Sequence, residues 1–111
     1  THLIVKDYEH ATIIKNKFPY DIWEHRNVVE HLMIVPKTHS ASLYDLPKCE
    51  QLFILDLIGQ YEKNGYDIYT RSFNGRLRSI PSHQHTHLIK TAGECAKLSI
   101  YIKKPYVVAK F

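Results

Sequence analysis

Only two cysteines, Cys49 and Cys95, occur in the 111 residues, and they form no Cys-x-x-Cys pattern. That count and spacing suggest neither a disulfide framework nor a cysteine zinc site, and reduced thiols are the expectation. Long apolar runs are also missing: the run LFIL, Leu52–Leu55, is cut by Asp56, so no segment approaches the length of a membrane span. No extended basic tract accompanies the net charge of +4, because lysines and arginines are dispersed and rise only to pairs such as Lys103 and Lys104. A weak preference for anionic, phosphate-bearing ligands follows, without the footprint of a polybasic tail. The N-terminal THLIVKDYEH lacks a signal-peptide core, so the expectation is a soluble cytoplasmic protein; a first residue of Thr1 is compatible with a processed or trimmed start. Linkers, repeats and low-complexity segments are absent as well, and a hydrophobic fraction of 44% suits one folded domain spanning residues 1–111.

What is present divides by period. Short β-rich runs at His2–Lys6, Ala11–Asn16 and His31–Val35 read as strands, the third closed by Pro36. Between the second and third, KFPYDIWEHRNVV reads as a loop or a hairpin excursion. From Pro47 to Lys63 the apolar positions Phe53, Ile54, Leu57, Ile58 and Tyr61 recur at helical intervals, and Asn64-Gly65 supplies a stop. Alternation returns over Tyr66–Ser72, a basic turn is expected around Asn74-Gly75, and Pro81 precedes a strand over His83–Lys90. The tail LSIYIKKPYVVAKF reads as two further short strands. The pattern predicts an α+β fold: an antiparallel sheet of about five strands, one main helix and extra C-terminal strands.

The most informative stretch is HQHTHLI, in which His83, His85 and His87 fall on alternate residues. On a strand that spacing turns three imidazoles to one face. Neutral imidazole is a nucleophile, a proton carrier and a metal ligand, and the spacing alone does not choose among these roles. Chelation by all three is strained, because His83 and His87 would stand about 13 Å apart along a strand, whereas zinc–nitrogen bonds are about 2 Å. Two of them with His31 or His39 remain a metal-site reading. Attack at phosphorus uses all three, one as nucleophile and its neighbours as phosphate ligands or proton carriers. A third reading is a non-catalytic module that holds a nucleotide or nucleic acid with basic and aromatic side chains such as Tyr69 and Phe73.

HQHTHLI, with HLMIVPKTH (His31–His39) and ASLYDL upstream and IIKNKFPYD before them, resembles the histidine triad family of nucleotide hydrolases and transferases over roughly Ala11–Ile89. That resemblance implies a histidine-triad-like fold and no metal or cofactor. It implies a homodimer and a nucleotide substrate, a purine being favoured, attacked at the α-phosphorus of a phosphoramidate, dinucleoside polyphosphate or nucleotidyl ester. By the same resemblance His85 is the nucleophile and His87 lies at the phosphate and its leaving side, while His83 and His31 belong to a supporting hydrogen-bond network. Asn16 falls at a ribose-binding position or is a strand-end turn residue, and Ser79, or its rivals Ser82 and a backbone N–H of this turn, would donate to a phosphate oxygen. Arg71 or Ser72 stands where the family usually carries a nucleotide-contacting Asn, and Arg71, with Arg76 and Arg78, would bind additional phosphate or form a solvated basic loop. Trp23 would stack on a base or anchor its loop.

Overall fold

The computed structural model describes residues 3–73, 83–95, 98–101 and 106–109. Its centre is an antiparallel sheet in the order β1 (Ile4–Asp7), β2 (Ala11–Lys15), β4 (Arg26–Pro36), β6 (Thr86–Cys95), β5 (Asp67–Tyr69), with the two-residue β3 (Ile22–Trp23) paired to β4. The strands β7 (Leu98–Tyr101) and β8 (Tyr106–Ala109) form a separate antiparallel pair, as the tail predicts. The expected segment Asn74–Ser82 lies outside the described residues. No helix among the described residues is long and apolar enough to cross a membrane.

The one α-helix among the described residues, α1 (Lys48–Lys63), begins after Pro47 and stops where Gly65 takes φ +92°, a left-handed backbone that glycine adopts without a Cβ clash. Ile54 and Leu57 face inward at helical spacing and pack on Ala11, Ile13, Leu32, Ile34 and Leu88 of the sheet. These strand residues share one face because side chains alternate. His31, Met33, His87 and Ile89 therefore belong to the opposite face, and the registers His31↔Ile89 and Met33↔His87 place them side by side across β4 and β6. The helix builds the core on one side of the sheet and leaves the imidazoles on the other.

Several strand boundaries depart from the sequence expectation, and those of β4, β5 and β6 bear on the site. β4 begins at Arg26, five residues before His31, because of the two readings of the stretch before it, loop or hairpin excursion, the hairpin is the one found: Trp23 pairs with Arg26 around Glu24-His25. Both turn residues have positive φ, 51° and 64°, as a two-residue type I′ turn requires. β5 is shorter than Tyr66–Ser72. Most relevant to function, β6 starts at Thr86, so His83 and His85 lie just before the strand. Extending the ladder by two residues would set Gln84 opposite Pro36, which has no N–H to donate. The Gln84 N–H instead donates to Ser40 O at 2.6 Å, which draws the segment toward the loop after β4.

Because Leu57 is 1% exposed and Leu55 64%, the two should respond oppositely to truncation. Leu57→Ala should cost about 2–5 kcal/mol in denaturant unfolding through lost burial and a residual cavity. Leu55→Ala should stay within about 0.5 kcal/mol. Equal costs would show that the core is not where α1 meets the sheet.

Candidate active site

Three imidazoles, those of His31, His85 and His87, gather on the sheet face away from α1. His31, His85 and His87 are each at most 4% exposed, so every ring nitrogen must be accounted for. The rings of His85 and His87 are 5.0 Å apart, and those of His31 and His87 also 5.0 Å. His83 turns toward His39, 4.7 Å between centroids, and its Nε2–H donates to Pro36 O at 3.1 Å. The two histidines of the upstream block thus serve opposite ends of the triad, His31 meeting His87 and His39 meeting His83. The loop that carries His39 is tied to α1 by buried Glu50, whose carboxylate accepts from the Thr38 N–H at 3.0 Å and from the Thr38 hydroxyl.

Backbone groups of fixed polarity assign the tautomers. The Tyr20 N–H donates to His31 Nδ1 at 3.1 Å, so that nitrogen keeps its lone pair and a neutral His31 carries its proton on Nε2. His31 Nε2–H then donates to His87 Nδ1 at 2.8 Å, and a neutral His87 carries its proton on Nε2. The Asn16 side chain is oriented by the Phe18 N–H, which donates to Oδ1 at 2.9 Å, leaving its amide nitrogen 3.3 Å from His31 Nε2 as a contact between two donors. At His85 the order is reversed: the His83 carbonyl can only accept, so His85 Nδ1 donates to it at 3.1 Å and the lone pair of the neutral ring resides on Nε2.

Burial pushes the His87 imidazolium down to about 4, helped by the charges that His31, His85 and Arg71 would oppose to it. Burial lowers His31 as well. Both are neutral at pH 7, the state the hydrogen-bond chain requires.

An aromatic wall covers this face. Tyr20 packs 4.5 Å from His31 and 5.8 Å from His87, Trp23 lies 6.0 Å from Tyr20 and 5.0 Å from Tyr69, and Tyr69, level with His87 in the register, is 5.8 Å from that ring. Of the two roles open to Trp23, the packing is that of a loop anchor between Tyr20 and Tyr69. Arg71 sits over Tyr69 at 5.3 Å and donates to the Tyr20 hydroxyl at 3.3 Å. A cavity of about 320 Å³ opens beside His31, lined by Asn16, Tyr20, Asp21 and Glu30 among others.

Of the residues singled out in the sequence, the structure brings His31, His85, His87, Asn16 and Arg71 together and sets His83 at the edge with His39. Ser79 and Ser82 lie outside the described residues. Tyr20 stands out in the sequence only as the tyrosine of KFPYD; its amide and ring contacts depend on a loop conformation that no local pattern encodes. The His31–His87 separation of 2.8 Å is that of a hydrogen bond, and among the described residues no group of three or more histidine, cysteine, aspartate or glutamate side chains is arranged to hold a metal.

No protein-family model matches the sequence, and no curated protein does. Solved structures do. The chain is similar to a HIT family hydrolase from Clostridium thermocellum, with 20% identity over 81% of this chain and 79% of that one and a TM-score of 0.59. It is similar to a HIT family hydrolase from Legionella pneumophila, at 19% over 83% and 81% with a TM-score of 0.58. A histidine triad protein from Clostridium difficile aligns at 18% identity over 82% and 79%, TM-score 0.53. The fold is the histidine triad fold. At these identities the likeness is one of backbone, and the triad fold found here carries the HQHTHLI motif at the same sheet face as the wall just described.

A neutral His87 has a measurable consequence. Its proton affinity is lower folded, about 4, than in the unfolded chain, 6.5, so between those values the unfolded state binds more protons. The stability gained is complete above pH 6.5 and is lost as pH falls toward 4. Denaturant unfolding at pH 7.5 and pH 5 should show a loss of roughly 1–2 kcal/mol from this group, reduced in His87→Gln by about that amount. A wild type and variant that lose stability in parallel would contradict a neutral, buried His87.

Proposed function

We propose that this chain is a nucleotide hydrolase or nucleotidyltransferase that works through a nucleotidyl-histidine intermediate on His85. The observation that carries the reading is the His83 carbonyl on His85 Nδ1, which leaves the lone pair of a neutral ring on Nε2. An imidazole whose distal nitrogen is held by an acceptor keeps the other nitrogen basic and aimed, the requirement for attack on phosphorus. In the first step a bond forms from His85 Nε2 to the α-phosphorus while the bond to the leaving group breaks with its electron pair. In the second, water or phosphate attacks phosphorus, and the pair returns to Nε2. His87, neutral and protonated at Nε2, would donate to a phosphoryl oxygen as negative charge builds there. His31 would hold His87 in that tautomer, and Asn16 beside the 320 Å³ cavity would face the sugar. Ser79 or Ser82 would supply a further donor.

The triad fold and the motif together support the coarser assignment. The resemblance adds the finer expectations of one domain over residues 1–111, a homodimer, a purine nucleotide and a cytoplasmic setting. An even oligomer by light scattering would agree with the second, and a strict monomer at high concentration would count against it.

His85→Ala should abolish turnover of a nucleoside phosphoramidate and a dinucleoside polyphosphate while leaving nucleotide affinity within about threefold, because the lost interaction belongs to the transition state. Acid quench of the wild type should trap one nucleotidyl group, acid-labile, on the peptide containing His85. Turnover by His85→Ala at near wild-type rate, or a label elsewhere, would disprove the mechanism.

His31→Ala should lower kcat more than it raises KM, since His87 loses the partner that sets its tautomer. A folded variant with unchanged kcat would remove His31 from the site.

A further inference from the structure

Gln84 is 2% exposed, yet its side-chain amide is only half satisfied. Its Nε2 lies 3.3 Å from the Thr70 hydroxyl and 3.3 Å from the Thr86 hydroxyl, while Oε1 is buried without a hydrogen-bond partner. Thr86 shares the strand face of Leu88, which packs in the core, so this amide sits behind the imidazoles rather than among them. An apolar side chain of the same length would fill the place without stranding an acceptor, so packing does not account for a glutamine here.

Polarity shows what the amide does. The His85 carbonyl can only accept, so the Thr70 hydroxyl directs its single proton to it, at 3.1 Å. The oxygen of that hydroxyl is then an acceptor, and the group facing it must donate. This fixes Nε2 as the end of the Gln84 amide turned to Thr70 and leaves Oε1 stranded. The coil from His83 to His85 has left the ladder and is held by other ties: the Gln84 N–H on Ser40 O at 2.6 Å, and Thr70 on the His85 carbonyl. Between those two ties lies the backbone that aims His85, whose Nδ1 reaches back to His83 O. We propose that Gln84 is a positioning residue for nucleotidyl transfer: its side-chain N–H sets the direction of the Thr70 hydroxyl, which pins the His85 carbonyl and so holds the attacking ring in place. This rests on the nucleotidyl-transfer reading of His85. The stranded Oε1 is the cost of that donor, since an amide brings an acceptor wherever it brings an N–H.

The test compares the wild type with Gln84→Met, Thr70→Val, Thr70→Ser and the Gln84→Met/Thr70→Val double variant. Turnover of adenosine 5′-phosphoramidate and diadenosine tetraphosphate is measured beside denaturant unfolding. Gln84→Met should lower kcat about 10-fold through misplacement of the ring, with KM within about threefold. Its unfolding midpoint should equal or exceed that of the wild type, because the stranded acceptor is gone. Thr70→Val should show the same loss of kcat, and Thr70→Ser, which keeps the hydroxyl, should restore it. The double variant should lose about 10-fold rather than about 100-fold, since both residues act through one chain of hydrogen bonds. An unchanged kcat in Gln84→Met, a midpoint that falls, losses that multiply, or failure of Thr70→Ser to restore turnover would overturn the inference and leave the His85 mechanism standing. If the wild type cleaves neither substrate and forms no adduct, the His85 mechanism is what fails, and the ring itself decides on Gln84. Nitrogen-15 NMR of the neutral His85 ring should show the Nδ1–H tautomer in the wild type, and the share of the Nε2–H form should rise in Gln84→Met and Thr70→Val. A ratio unchanged by either substitution, or a wild type already in the Nε2–H form, overturns the inference on its own.

Discussion

The Tyr20 N–H that donates to His31 is the contact on which the site's protonation depends. A backbone amide has one polarity and cannot exchange roles, unlike an imidazole. Its donation commits His31 to a proton on Nε2, the 2.8 Å bond commits His87 to accept at Nδ1, and His87 is left presenting a proton outward. The His83 carbonyl acts with the opposite polarity on His85 and leaves a lone pair. Two neighbouring histidines of the same chemistry thus take opposite roles, a donor and a ring with an open lone pair, through main-chain groups in loops far apart in the chain. A site of this kind is sensitive to the path of the loop between β2 and β3, where Tyr20 lies, as much as to the triad itself.

Holding rings dry has a cost, and the structure shows where it falls. Among the described residues Trp23 Nε1 and Gln84 Oε1 are buried side-chain polar atoms with no hydrogen-bond partner. Each such atom costs about 1–3 kcal/mol. The hairpin that brings Trp23 over the site turns through Glu24 and His25 at positive φ without a glycine, a further cost of about 1–2 kcal/mol per residue. Stability comes from the other side of the sheet, where Ile13, Ile34, Ile54, Leu57 and Leu88 are essentially inaccessible to solvent. The apolar core therefore offsets these costs, of which the Trp23 indole and its hairpin turn fall at the imidazole face.

Legibility in the sequence followed the range of the interactions. α1 was readable because its inward residues repeat within the helix, and the core strands because alternation is local to each strand. HQHTHLI was readable as a site because three polar rings on alternate residues are hard to explain as packing. What could not be read were features set by pairing. β6 begins at Thr86 rather than His83 because Pro36, 50 positions from Thr86 in the chain, lacks an N–H at the point where the ladder would continue. Likewise His39, read as an alternative metal ligand and as the end of HLMIVPKTH, gains its place against His83 from the loop that Glu50 secures to α1. The tyrosine of KFPYD gave no sign that its amide would set a tautomer.

The early end of the ladder also bears on the chemistry. Within a continued strand the main-chain groups of Gln84 and Thr86 would face β4 and those of His83 and His85 would face β5, so the His83 carbonyl would be directed into the ladder rather than at a side chain two residues on. Leaving the strand at His85 lets the His83 carbonyl accept from His85 Nδ1, while the Thr70 hydroxyl satisfies the His85 carbonyl from β5's end. His87, inside the strand, has no such freedom and takes its partner from the neighbouring strand through His31. The boundary between coil and strand that falls between His85 and His87 is thus what gives the two rings different partners, and hence different protons.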